Sequence, residues 1–231
     1  MRKTPGIVGG VGYQATLEYY SRIMAKYHDR FGDMNYPELV LFSLSHQKFR
    51  SYENAHSLDE YTAYIMYGIE RVIAAGADFI ALAANSPHAV LDNLRERIDL
   101  PILSAVESAL REARRQGLHK ALLLGIRFTM QSTFYQERFA RDGIELIAPS
   151  LPDQDIVHDV IYGELLKGVV LESSRDKLMS LIDGYAVDGV VLGCMKLPTI
   201  LRKGEMSMPV VDTLDAHTTE IVDYACDVAS L

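Results

Sequence analysis

The stretch Asp78-Phe79-Ile80-Ala81-Leu82-Ala83-Ala84-Asn85 has a counterpart in Asp188-Gly189-Val190-Val191-Leu192-Gly193-Cys194-Met195, one in each half of the chain. Each is a short apolar run of strand length. Each is followed by a proline (Pro87, Pro198) and then by a second apolar segment around Pro101 and Pro209. Earlier runs pair in the same order, Ile7-Val8-Gly9 with Leu123-Leu124-Gly125 and Glu38-Leu39-Val40 with Glu145-Leu146-Ile147. An internal repeat of this kind restricts the chain to two similar units.

Longer amphipathic segments separate the apolar runs, the pattern of parallel sheets flanked by helices. Strands are expected over 6–9, 38–44, 77–84, 101–105, 120–126, 144–149, 189–194 and 209–212. Helices are expected over 14–27, 57–75, 87–98, 106–117, 131–142, 153–166, 173–185 and 214–229. Ser57 and Ser173 read as N-caps. The fold expected is α/β: two similar α/β domains with mainly parallel sheets, pseudo-twofold related, and the active site in the cleft between them. The first would comprise 1–105 plus 212–231, the second 106–211. Ligands of open parallel sheets bind beyond the carboxyl ends of the strands. That rule directs attention to the strand-end loops, with Cys194 on one wall and Ala84 in the equivalent place on the other.

Charge and composition narrow the partners. A net charge of -8 argues against nucleic acid or an anionic membrane, since both need clustered Lys and Arg. An anionic small substrate remains compatible with a local cationic pocket. Two cysteines are too few for a disulfide framework, which fits a reducing, cytoplasmic setting. No apolar run approaches the about 18 residues of a membrane span, and the N-terminal residues lack a signal-peptide apolar region. Nothing in the residue spacing suggests a metal-ligand cluster.

Several strand ends carry residues suited to chemistry. Gly9-Gly10-Val11-Gly12-Tyr13-Gln14-Ala15-Thr16 holds a formal G-x-G-x-x-A match. A dinucleotide site would need an acid at the end of the second strand, where the chain reads Leu44-Ser45-His46-Gln47. The glycines better suit close approach of a small carboxylate to backbone N–H groups, or simply a tight turn. In Asn85-Ser86-Pro87-His88, Ser86 reads as an N-cap. His88 suits either structural hydrogen bonding or catalysis. Cys194 follows Gly193 at the mouth of a helix, where a thiol pKa is lowered, whereas Cys226 reads as inert. Thr129 reads as an N-cap or carboxylate donor, and Asp212-Thr213 with His217 forms a further strand-to-helix turn. Arg50 and Lys167 are isolated cations.

Taken together these segments resemble the aspartate/glutamate racemase family, the cofactor-independent amino-acid racemases. Gly9-Gly10-Val11-Gly12 through Ala15-Thr16 matches its opening Gly-Gly-Met-Gly-x-x-Ala-Thr segment, and Ala84-Asn85-Ser86-Pro87-His88 occupies its Cys-Asn-Thr-Ala-His motif. Arg127-Phe128-Thr129-Met130 matches the central Thr-Met turn, and Gly193-Cys194 with Leu197 matches Gly-Cys-Thr-Glu-Leu. Pro209-Val210-Val211-Asp212-Thr213 with His217 matches the closing Pro-x-x-Asp-Thr…His.

The resemblance implies proton transfer at the α-carbon of aspartate or glutamate by two cysteines on opposite faces, without pyridoxal or any other cofactor. It implies a homodimer. Cys194 is then one acid/base, and Ala84 stands where the partner cysteine belongs. Gly12, Thr16, Asn85, Ser86 and Thr129 would bind substrate, Arg50 and Lys167 would hold the distal carboxylate, and His88, Asp212 and His217 would support the site. The departures are concrete: Ala84 can exchange no proton, and Met195-Lys196 replaces Thr-Glu beside Cys194. The same residues also fit a one-cysteine lyase or decarboxylase, or a carboxylate-binding homologue without turnover.

Overall fold

A computed structural model describes residues 2–54 and 57–226. Its contacts divide the chain into two compact units, Met1–Ala105 with His217–Leu231, and Val106–Ala216. The division falls inside the last helix, so residues 212–216 group with the second unit.

The first unit runs β1 (Pro5–Gly9), α1 (Tyr13–Phe31), β2 (Val40–Ser43), α2 (His46–Asn54), α3 (Leu58–Ala74) and β3 (Phe79–Leu82). A 3-10 turn (Ser86–Val90), α4 (Leu91–Arg95) and β4 (Ile102–Leu103) complete its sheet. After α5 (Ala105–Arg115), the second unit runs β5 (Lys120–Leu124), α6 (Arg127–Gln131), α7 (Phe134–Arg141), β6 (Glu145–Ile147) and α8 (Leu151–Gly163). A 3-10 turn (Leu165–Lys167), α9 (Glu172–Asp183) and β7 (Gly189–Leu192) follow. A further 3-10 turn (Leu197–Thr199), β8 (Val210–Asp212) and α10 (Thr213–Ala225) close the series.

Each unit holds a four-stranded sheet of the same topology, β2-β1-β3-β4 and β6-β5-β7-β8, and every pairing is parallel. The central strands β3 and β7 are buried at every residue, which is why they read as unbroken apolar runs rather than alternating ones. In the second sheet Leu122, Leu124, Val190 and Leu192 face a core shared with α8 and α9. The intervening Ala121, Leu123, Val191 and Val211 face α5 and α7. Each such leucine or valine contributes about 1.5–3 kcal/mol by leaving water. In the first unit Val8, Ile80 and Leu82 pack under Tyr61, Ile65, Ile69 and Val72, the inward stripe of α3 at helical spacing.

Register makes the duplication explicit. Val8 pairs with Leu82, and Leu124 with Leu192. The next residue along each strand repeats the same bond: Ala83 N–H donates to Val8 O at 2.8 Å, and Gly193 N–H to Leu124 O at 2.7 Å. Ala84 and Cys194 therefore occupy equivalent positions, one residue beyond that bond.

Several local expectations need correction. The helix expected over 131–142 is two, because Ser132 is extended at φ -80, ψ 155. Thr129 lies inside α6 rather than capping it. The helix expected over 87–98 is a 3-10 turn followed by α4. Helix α9 starts at Glu172, with Leu171 rather than Ser173 at its cap. Ser57 sits at the cap of α3 but makes no side-chain capping bond. Asn85 rather than Ser86 precedes the 3-10 turn. The last helix was expected to reach residue 229, and its final part lies outside the described residues.

Candidate functional site

In the first unit, the loop between β1 and α1 is shaped by two glycines with positive φ, Gly10 at 87° and Gly12 at 83°. The Thr16 hydroxyl closes it, accepting from Gly10 N–H at 2.8 Å and donating to Gly12 O at 3.5 Å. Thr16 thus has a structural use for both hydroxyl functions. Gly10 is also sterically locked: a Cβ there would stand 2.1 Å from Leu44 O and 2.5 Å from Leu44 N. At Gly12 the same atom meets nothing within 4 Å. Gly12→Ala should therefore cost only the backbone strain of a positive φ, about 1–3 kcal/mol. Gly10→Ala should cost clearly more, because backbone must move as well. Urea denaturation of the two variants checks this order; equal losses would show that the Leu44 contact is irrelevant.

Beyond β3, Ala84, Asn85, Ser86 and His88 are all buried. The backbone N–H of Ala105 donates to His88 Nε2 at 3.0 Å, so that nitrogen must accept, and Nδ1–H then donates to Asn85 O at 3.2 Å. His88 is thereby a neutral brace between the strand-end turn and the start of α5. His217, fully buried, donates Nε2–H to Leu103 O at 3.2 Å and accepts from the Tyr19 hydroxyl at 2.7 Å. It braces α10 against β4 and α1. Both histidines are used by backbone groups that fix their tautomers.

The same rim carries a polar group that the sequence reading missed. Glu53, in the last turn of α2, and Tyr61, in the first turn of α3, lie near Ser86, whose hydroxyl acts to lower the pKa of each. Burial pushes the Glu53 carboxyl up, with the Ser86 hydrogen bond and the Arg50 charge pulling the other way. Burial likewise raises the Tyr61 phenol well above its usual range. Glu53 Oε1 and the Tyr61 hydroxyl oxygen are inaccessible to solvent and have no hydrogen-bond partner among the described residues. Half-buried Arg50 acts electrostatically on Glu53 and on His46, whose pKa is lowered by burial first and Arg50 second.

In the second unit, Gly125 and Gly193 end β5 and β7 and pack on Thr129. A Cβ at Gly193 would stand 3.2 Å from Thr129 Cγ2, and one at Gly125 3.2 Å from Thr129 Cβ. Thr129 is buried, and its hydroxyl oxygen has no hydrogen-bond partner among the described residues. Cys194 is half-buried and packs on the cluster holding Met130, Leu165 and Leu197.

Burial raises the Cys194 thiol pKa, while the N–H groups of Lys196 and Leu197 and the Lys196 charge act to lower it. The net direction is upward, a correction to the expectation of a lowered value. The helix after Cys194 is only the 3-10 turn Leu197–Thr199, whose few aligned peptides make a weak dipole. Asp212 is the cap of α10, its Oδ1 accepting from Leu214 N–H at 3.0 Å and Asp215 N–H at 3.1 Å. Lys167 is exposed at the end of a 3-10 turn whose first residue, Leu165, is buried. Among those residues no group of three or more His, Cys, Asp or Glu could hold a metal ion. None of their helices is long and apolar enough to cross a membrane.

Residues 8–221 match the family described as Asp/Glu/Hydantoin racemase. The broad specificity amino-acid racemase RacX of Bacillus subtilis (strain 168) is 22% identical over 213 residues, covering 90% of this chain and 92% of that protein. The glutamate racemase of Acidothermus cellulolyticus is 28% identical over 147 residues, covering 62% of this chain and 54% of that enzyme. Among solved structures, an aspartate racemase homologue from Pyrococcus horikoshii OT3 aligns with a TM-score of 0.87 at 28% identity. That alignment covers 97% of this chain and 99% of the other.

Proposed function

Because the chain belongs to the Asp/Glu/Hydantoin racemase family, we propose that it inverts the α-carbon of an amino acid without a cofactor, with aspartate or glutamate as its substrate class. One observation carries the reading: at the end of β7 and β5 a half-buried thiol, Cys194, accompanies a buried hydroxyl, Thr129, that has no acceptor among the described residues. An unsatisfied buried hydroxyl costs about 1–3 kcal/mol. A substrate carboxylate would supply the missing acceptor. The Thr129 O–H would donate to it as negative charge spreads from the α-carbon into the carboxylate.

In this reading the Cys194 thiolate removes the α-proton of one enantiomer. As a thiol, it returns a proton when the other enantiomer is the substrate. Asn85, Ser86 and the glycine turn bind the amino-acid head, and Arg50 and Lys167 favour a second carboxylate. A homodimer accords with Tyr13, Leu17 and Tyr20, which are exposed along one stripe of α1.

One specific observation favours a second reading. Ala84, equivalent to Cys194 in register, can move no proton, as in a lyase that protonates one face only or a homologue that binds without turnover. Incubating each enantiomer of aspartate and glutamate in deuterium oxide separates the three. We expect α-hydrogen exchange accompanied by inversion. Exchange of one enantiomer with retention would mean one working face and overturn racemisation. No exchange, with the protein stabilised by about 2.7 kcal/mol at a hundredfold excess of ligand over Kd, would identify a binder.

A further inference from the structure

We infer that His158 of α8 is a positioning residue for the reaction, holding the first turn of α6 so that the Thr129 hydroxyl stays aimed at the substrate carboxylate. This deepens the racemase reading and rests on it.

Helix α6 has five residues, well short of the about 12–15 at which a helix begins to hold itself in water. Its own cap contributes nothing: Ile126 is extended at φ -68, ψ 159 and makes no side-chain capping bond. The cap comes from another helix. Arg127 N–H, the first of the donors that a helix start leaves without a partner of its own, donates to His158 Nδ1 at 3.2 Å. That nitrogen must therefore hold a lone pair, which places the proton of the neutral ring on Nε2. The Arg127 guanidinium donates to Asp155 Oδ1 at 2.6 Å. Asp155, His158 and Tyr162 follow one another at helical steps on one face of α8. The Tyr162 ring lies 4.5 Å from the His158 ring between centroids, tilted by 32°. Met130 of α6 packs in the same core as Val157 and Ile161 of α8.

One helix thus grips Arg127 at two points, backbone and side chain. Thr129 stands two residues further along the same turn, buried, its hydroxyl without a partner among the described residues. The grip is a poor device for stability alone. The Arg127 and Asp155 side chains are 44% and 60% exposed, and an exposed ion pair adds little to folding. What it supplies is orientation. A hydroxyl that donates as charge reaches the carboxylate works only at the right distance and angle. A displacement of about 1 Å can cost about 10²-fold in rate.

The test compares His158→Leu with His158→Asn, because Asn places an amide oxygen near the position of Nδ1 and Leu offers no acceptor. In His158→Leu we expect kcat for α-hydrogen exchange in deuterium oxide to fall about tenfold or more with KM within about threefold, the split of an interaction made chiefly in the transition state. His158→Asn should recover most of that loss. Thr129→Val should fold as stably as the wild-type protein, since it removes a buried hydroxyl that has no partner among the described residues. In that background His158→Leu should cost no more than about twofold further, because residues that act through one another are not additive.

Wild-type kcat in His158→Leu, an Asn variant as slow as the Leu variant, or equal losses with and without the Thr129 hydroxyl would overturn the positioning role while leaving the racemase reading standing. Absence of exchange with either enantiomer in the wild-type protein would overturn both. If His158→Leu loses its circular-dichroism signature, Asp155→Asn at its exposed site carries the same expectation at smaller size, a fall in kcat of about threefold that vanishes in the Thr129→Val background.

Discussion

Ala84→Cys should raise the rate of aspartate or glutamate racemisation by about two orders of magnitude, the lower end of what a well-placed acid/base contributes. Position 84 lies where Cys194 does relative to the paired strands, after equivalent bonds from Ala83 to Val8 and from Gly193 to Leu124. The substitution adds a sulfur at a site 6% exposed. Overpacking a core in this way costs about 1–3 kcal/mol, so the variant should fold with a modestly lower melting temperature. Ala84→Ser is the informative comparison, because its hydroxyl is far less acidic than a thiol and should give a much smaller gain. Initial rates followed by chiral chromatography decide the matter. A folded Ala84→Cys protein no faster than wild type would mean that position 84 does not face the reacting carbon.

What could be read in advance, and what could not, follows from how local each determinant is. The strands β3 and β7 and their duplication were visible because burial on both faces forces unbroken apolar runs such as Phe79–Leu82 and Gly189–Leu192. The two-sheet fold followed from them, and the family resemblance from the motifs at the strand ends. Helix α2 was missed because His46–Asn54 is mostly polar, and it is held through Phe49, whose ring lies tilted against that of Tyr61 at 4.9 Å between centroids. With that helix went Glu53, whose carboxyl burial pushes up. A Phe49 to Tyr52 spacing beside Tyr61 was the only signal available, and it is weak.

Helix starts misled for a related reason. Thr129 and Ser173 are good capping types, yet α6 and α9 begin earlier in the chain. Asp212 gave the converse case, a residue read as supporting the site that has a capping duty. Thr16, His88 and His217 show that a polar residue at a strand end can be fully engaged in holding a turn. Such engagement is tertiary and leaves no mark on the sequence.

Cys194→Ser should remove α-hydrogen exchange from the face it serves, by about 10²–10⁴-fold, with a sharply pH-dependent rate in the wild-type protein. The direction follows from the thiol's surroundings. Burial raises its pKa, and the Lys196 and Leu197 N–H groups with the Lys196 charge only partly offset this. At neutral pH the protonated form therefore dominates and only a small fraction is thiolate. Below the pKa that fraction grows about tenfold per pH unit, and only the thiolate can abstract a proton. Exchange of the enantiomer attacked by Cys194 should accordingly climb through the neutral range and level off above the ordinary thiol pKa.

Iodoacetamide alkylation, measured in a Cys226→Ser background, should follow the same rise. Lys196→Met should move both curves to higher pH, because removing a nearby cation disfavours the thiolate. Exchange that survives in Cys194→Ser would remove this sulfur from the reaction.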